Sequence, residues 1–337
     1  MEKHCNINII STGIYIPTKK MENEYYIEHF SKMGIKVEGL LDHMDKKTRY
    51  YAENGETSLS MGHEAALMAL ENSNVTRNDI DMIIFVSAQP EFLNPTTAME
   101  LRDLLKANNA HTVFDLNDTC LGGVTALNVA CNYAMTSDDI STILIVAGQN
   151  ISSVVDTEDT VAYSLMGDCA SAVIVKKEYE ATKRGFINNA THCRCAYVGH
   201  IKFPNCGLTK ALSNTDTHIP KKDRNFTWDS FDISWMGKDF SHIIEKVLKK
   251  SNLKPADLDM CFMSQFSKKS IEKGLELQGI PLEKNYYIGH LYGYTGPTSP
   301  ILALHCGMQE GLVKKGDIVL MGSVGSGIDY SMSLFKF

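Results

Sequence analysis

The sequence has no excess of basic residues: 33 Lys and Arg stand against 40 Asp and Glu, a formal charge of −7 over 337 residues. Nothing in that balance favours nucleic acid or an anionic membrane, so any basic partner surface must be local. Long apolar runs are missing too. Stretches such as 82–86 and 142–147 fall far short of the ~20 residues of a spanning helix. The opening Met1-Glu2-Lys3-His4-Cys5-Asn6 leads straight into strand-like residues 7–14, with no apolar leader or cleavage site, which predicts a cytoplasmic protein. The nine cysteines are odd in number and scattered through apolar stretches, which argues against a disulfide framework and fits a reducing compartment.

A hydrophobic share of 44% with 22% charged residues supports a sizeable core and excludes a disordered chain. Short β-branched runs alternate with amphipathic stretches: a strand at 80–87, a helix at 97–108, a strand at 112–116. The second half repeats the rhythm, with helices at 238–251 and 298–311 and strands at 260–263 and 317–321. This predicts an α/β fold with buried strands. Residues 73–82 and 251–260 share five identities and two aliphatic swaps. Each closes a helix and opens a strand, as expected of a duplicated unit. The turn-rich stretch 206–230, including 214–217 and 220–224, has no apolar period and predicts a long surface excursion.

The most chemically suggestive segment is Asn117-Asp118-Thr119-Cys120-Leu121-Gly122-Gly123, between a buried strand and a helix. At a helix start, unpaired amides and the dipole stabilise a thiolate, so Cys120 is a candidate nucleophile. Gly122 and Gly123 allow close approach of backbone or substrate. The competing reading, a buried core cysteine, is the one expected for Cys131, Cys169, Cys261 and Cys306.

Several ordered motifs carry a resemblance: residues 87–98, the cysteine corner, Leu165-Met166-Gly167-Asp168-Cys169-Ala170, the glycine-led 293–304, and Gly322-Ser323-Val324-Gly325-Ser326-Gly327 before a final strand. Nearly the whole chain resembles ketoacyl synthase III among the thiolase-fold condensing enzymes. The resemblance implies a duplicated five-layered α/β fold (αβαβα), with halves at 1–183 and 184–337, usually as a homodimer. It further implies that Cys120 accepts an acyl group from an acyl carrier protein or coenzyme A thioester. The backbone amides of Cys120 and Ser326, beside Gly325, would form the oxyanion hole. A dinucleotide reading of the late glycines fails, because no helix and second strand can follow before Phe337.

The departures from the family pattern fall on catalytic positions. Where the family has its histidine this chain has Ser264, and where it has its asparagine this chain has Tyr294. Each can donate a neutral hydrogen bond, but neither supplies an imidazole that works near pH 7. Tyr294 serves equally well as a pocket wall. His200 and His290 are the histidines that could substitute as a base on the substrate side. The coenzyme A gate of the family is replaced by Gly39, His43 and Thr160, which favours a carrier-protein donor. Its acidic helix would meet Lys238, Lys249, Lys250 and Lys269, although Lys246, Lys249 and Lys250 also read as the solvated face of a helix. Cys193, Cys195, His192 and Cys206 match no zinc spacing, so neither a metal nor a bound cofactor is expected. Asp168 is expected in a structural turn. The sequence therefore predicts an acyltransferase forming an acyl-enzyme on Cys120, in lipid, polyketide or other specialised acyl metabolism. The alternative is a degenerate subunit supporting a catalytic partner. Thioester hydrolysis would need a base that the sequence does not identify.

Overall fold

A computed structural model describes residues 3–213 and 218–337, so the 214–217 part of the expected excursion lies outside the described residues. The first sheet contains β1 (His4–Tyr15), β2 (Met82–Val86), β3 (Thr112–Leu116), β4 (Thr142–Gln149) and β5 (Cys169–Glu180), in the order β1-β5-β4-β2-β3. β4, β2 and β3 run parallel, and β5 is antiparallel to both β1 and β4. The second contains β6 (Gly185–Cys193), β7 (Met260–Met263), β8 (Ile318–Gly325) and β9 (Asp329–Lys336), in the order β7-β8-β9-β6.

The apolar run of β2 is explained by what covers it. Alternate side chains leave opposite faces. Ile83 and Phe85 join an outer core with α1 (Ser58–Glu71) and α2 (Thr97–Leu105), whereas Met82, Ile84 and Val86 join an inner one. That inner core contains α3 (Gly122–Thr136) and, from the second half, α6 (Ser299–Gln309), so these two helices lie between the sheets. On the far side, α4 (Met236–Lys250) and α5 (Lys268–Leu277) cover the second sheet through Phe240, Ile244, Ile271 and Leu275. The result is αβαβα.

The matched segments make matched bonds. Thr76 N–H donates to Asp79 at 2.8 Å and Lys254 N–H to Asp257 at 2.7 Å, each bracing a single 3₁₀ turn. The following aspartates pin the neighbouring strand in both copies: Asp81 accepts from Thr142 N–H at 2.9 Å, and Asp259 from Ile318 N–H at 2.7 Å.

Three expectations need correction. The strand expected at 317–321 continues to Gly325, because Gly322 belongs to the ladder; a Cβ there would lie 2.2 Å from Met332 Sδ. The 206–230 stretch is not simply a surface excursion. Ile219, Phe226 and Trp228 are buried, Thr227–Trp228 pairs with Ile201–Lys202, and Trp228 stacks on Phe266 at 5.1 Å. Isolated apolar residues without period gave no helix or strand signal, yet they seal the protein beside Cys120. Cys306 is only partly buried, whereas Cys131, Cys169 and Cys261 are core. Among the described residues no helix is long and apolar enough to cross a membrane.

Candidate active site

β3 delivers the chain to a 3₁₀ turn, Thr119–Leu121, that runs directly into α3. The two glycines after Cys120 serve close packing of backbone against its neighbours. A Cβ on Gly123 would lie 2.3 Å from Pro297 O, and one on Gly122 2.6 Å from Val86 Cγ1. The turn is thereby locked onto the glycine-led loop from the second half.

That loop brings Tyr294 to Cys120. Tyr294 is 1% exposed. Its N–H donates to Leu165 O at 2.8 Å, and its carbonyl accepts from Gly167 N–H at 3.0 Å and from Gln149 Nε2 at 3.3 Å. Its hydroxyl lies near enough to the Cys120 thiol and the Ser264 hydroxyl to bear on their electrostatics. Ser264, just past β7, is fully buried, with its N–H on Gly322 O at 2.7 Å. The three side chains read from the sequence as nucleophile and replaced partners therefore converge.

The electrostatics differ from expectation. Burial pushes the Cys120 thiol up to about 11, opposed by the Tyr294 hydroxyl and the residue's own amide. Burial favours the thiol over the thiolate, although Cys120 is only partly buried and borders open space. The Tyr294 phenol is also pushed up, first by burial and then by the Cys120 sulfur.

The oxyanion expectation also needs revision. Ser326 N–H does not point free into the site but donates to Thr119 Oγ1 at 3.0 Å. Gly325 permits this approach, since a Cβ there would lie 2.4 Å from Thr119 Oγ1.

Cys120 and Ser326 border two spaces. One cavity of about 290 Å³ is lined by Gln89, Asn117, Thr119, Gln149, Lys202 and Phe226 among others. The second, apolar and about 20 Å³, is walled by Trp228, Phe231, Met236, Phe266, Tyr294 and Gly325, enough for about one water. The two candidate histidines line neither. His200 packs its ring against Tyr197 and Phe231, one residue before Ile201 of the wall. His290 stacks on Tyr287 in a patch with Asp45, Lys46, Lys47 and Lys268, its pKa lowered first by burial. The folded chain places both outside the wall facing Cys120.

Asp168 is a buried turn carboxylate that accepts from Ala52 N–H at 2.8 Å, Ser152 N–H at 3.0 Å and the Ser152 hydroxyl; burial raises it to about 6. Thr160 borders a separate recess with Asp156, Glu158, Asp159 and Asp229. Gly39 is exposed on the 38–43 helix, and His43 at its end meets Lys269 at 3.2 Å. On α4, Lys246 and Lys250 donate to Thr191 O and Asn189 O, and Lys249 pairs with Glu245. All three lie on the solvated face of the helix, as both expectations require.

Several contributors were not read from the sequence. Thr119 carries no chemical signal in the sequence beyond its place beside Cys120. Gln149 is a polar end to an all-buried strand, a signal that could have been used. Lys46 is 1% exposed and donates to Met44 O at 2.8 Å, Phe266 O at 3.0 Å and Tyr287 Oη at 2.7 Å; burial lowers it to about 7. It fixes the carbonyl of a wall residue.

Comparison with known proteins identifies the family. Residues 114–194 match the 3-oxoacyl-[acyl-carrier-protein (ACP)] synthase III family model and 248–337 its C-terminal model, together just over half the chain. The chain is 27% identical over 329 residues to the beta-ketoacyl-[acyl-carrier-protein] synthase III of Aquifex aeolicus, covering 98% of this chain and 99% of the relative. A crystal structure of 3-oxoacyl-[acyl-carrier-protein] synthase III from Aquifex aeolicus superposes with a TM-score of 0.85 at 25% identity, over 98% of this chain and 100% of the other. The priming beta-ketosynthase from the R1128 polyketide biosynthetic pathway shares the fold, with a TM-score of 0.88 at 22% identity over 100% and 98% of the two chains. The chain belongs to the 3-oxoacyl-[acyl-carrier-protein] synthase III family, thiolase-fold condensing enzymes of the acyl-transferring type.

Proposed function

We propose that Cys120 takes an acyl group from a carrier-protein or coenzyme A thioester and passes it to a second substrate, in lipid, polyketide or other specialised acyl metabolism. The observation that carries this reading is that Cys120 borders both cavities, with Tyr294 on the wall of the smaller one and Ser264 buried near its hydroxyl. The larger space suits a thioester arm and an incoming acceptor. The small apolar compartment beside Cys120, with room for about one water, does not take an acyl group as it stands.

In the first half-reaction the Cys120 sulfur bonds to the thioester carbonyl carbon and the bond to the donor sulfur breaks. The Cys120 proton ends on the departing donor thiol. Tyr294 and Ser264 act as neutral hydrogen-bond donors and neither takes a proton near pH 7. This favours an acceptor that brings its own nucleophile, a hydroxyl or an amine, over decarboxylation of a malonyl unit. The carboxylates around Thr160 disfavour a phosphate-rich nucleotide there, which supports a carrier-protein donor. Exposed Phe92, Leu93, Met99 and Leu104 on the 92–104 segment are apolar groups that a second copy of the chain would cover; light scattering should then give twice the chain mass.

The reading is tested by intact mass after incubation with acyl-carrier-protein and acyl-coenzyme A thioesters, with Cys120→Ala as control. One acyl increment, absent in the variant, supports it and identifies the donor. A second reading, a supporting subunit, is favoured by the raised Cys120 thiol. It gains ground if the folded protein takes no acyl group from any donor and co-purifies with a condensing enzyme.

A further inference from the structure

Thr119 precedes the nucleophile and holds a backbone conformation that β-branched residues rarely adopt, with φ at 48°. Such strain persists only where surrounding structure enforces it, and it collects at functional sites. Here the enforcing contacts are visible. Thr119 N–H donates to Asn117 Oδ1 at 3.1 Å, its carbonyl accepts from Gly122 N–H, and its Oγ1 accepts from Ser326 N–H at 3.0 Å. The side chain is thereby held on the wall of the cavity shared with Cys120 and Ser326.

A hydroxyl that accepts one hydrogen bond still has a proton to give. Among the described residues, no group accepts the Thr119 O–H, whereas the Thr125, Thr298 and Ser323 hydroxyls each donate to a protein oxygen. The amide behind Oγ1 polarises the O–H, as successive hydrogen bonds do. The open direction is the cavity.

We infer that Thr119 is a catalytic residue, a reading that rests on acyl transfer at Cys120: its hydroxyl donates to the thioester oxygen while accepting from Ser326 N–H. The Ser326 amide thus reaches the developing oxyanion through Thr119. When the Cys120 sulfur adds to the carbonyl carbon, the π pair moves onto oxygen. That charge is met by the Thr119 O–H, which keeps its proton. Collapse re-forms the C=O bond and expels the donor sulfur, which leaves as the thiol carrying the Cys120 proton. No external oxidant or base is consumed.

Thr119→Val keeps the side-chain shape but removes both donor and acceptor; Thr119→Ser keeps both. With the acyl donor that loads the wild type, single-turnover acylation followed by intact mass should slow about 100-fold in Thr119→Val and stay within about threefold in Thr119→Ser, the scale of losing one oxyanion donor. Alkylation of Cys120 by iodoacetamide develops no carbonyl oxyanion and should change less than about threefold in both variants. Equal acylation by Thr119→Val and wild type overturns the inference while leaving acyl transfer intact. Faster acylation by Thr119→Ala makes the threonine a plug over the Ser326 amide and also overturns it. Parallel loss of alkylation and acylation in Thr119→Val assigns a structural role instead. A wild type that no donor acylates defeats both readings.

Discussion

Replacing Tyr294 with Phe tests the electrostatic account of the nucleophile most directly. The ring, fully buried against Phe266 and Trp228, keeps its packing, and only the hydroxyl that lies near the Cys120 sulfur and Ser264 is lost. With the thiol at about 11, the thiolate fraction at pH 8 is on the order of one in a thousand. A hydrogen bond to a charged group is worth about 1.5–3 kcal/mol, and 1.36 kcal/mol is about one pKa unit. Tyr294→Phe should therefore lower the thiolate fraction at least about tenfold. The assay is iodoacetamide alkylation of Cys120 from pH 7 to 10, read by peptide mass with Cys120→Ala as background. Sign follows from the protonated resting state: the wild-type rate rises about tenfold per pH unit across this range. A plateau below pH 9, or an unchanged rate in Tyr294→Phe, would refute the reasoning.

Lys46 makes a stability prediction with a definite sign. Its folded pKa, lowered to about 7 by burial, lies below the unfolded value, so between them the unfolded chain binds more protons. The contribution of Lys46 to stability therefore rises with pH from about 7 towards 10, by at most about 1.4 kcal/mol per pH unit, while the raised Cys120 and Cys306 thiols pull the other way above about pH 9; the difference in urea midpoint between wild type and Lys46→Met should shift in favour of wild type across that range. Gly296→Ala places a Cβ 1.9 Å from Gln149 Oε1 at a φ of +52°; it should lower stability by roughly 2–4 kcal/mol, seen as a depressed melting temperature. Phe231→Ala opens the apolar compartment, and competition between acyl donors read by intact mass should shift towards longer chains.

How much of the site the sequence revealed can be read residue by residue. Cys120 is legible as a candidate nucleophile from its strand-helix corner, whereas Ser264 and Tyr294 are legible only through the resemblance, as the positions of the family's histidine and asparagine. What the replacements at 264 and 294 can donate then follows from identity alone. His200 and His290 were nominated for chemistry they could do, and neither reaches the cavity wall. A histidine's type says nothing about where a loop turns its ring. The 206–230 stretch was misread for a related reason: Phe226 and Trp228 have no periodic neighbours, and their burial depends on the β-pair with 201–202.

Sequence by itself determined the α/β alternation, the repeated helix-to-strand link and the nucleophile's place at a strand-helix corner, because each depends on local period, capping and side-chain chemistry. Only the tertiary structure decided the protonation of Cys120 and the partner of the Ser326 amide. The first depends on how far 264, 294 and the wall residues shield the partly buried sulfur from water. The second depends on Gly325 lacking the Cβ that would keep Thr119 Oγ1 away. Both are sums over segments distant in the chain, and no local pattern encodes them.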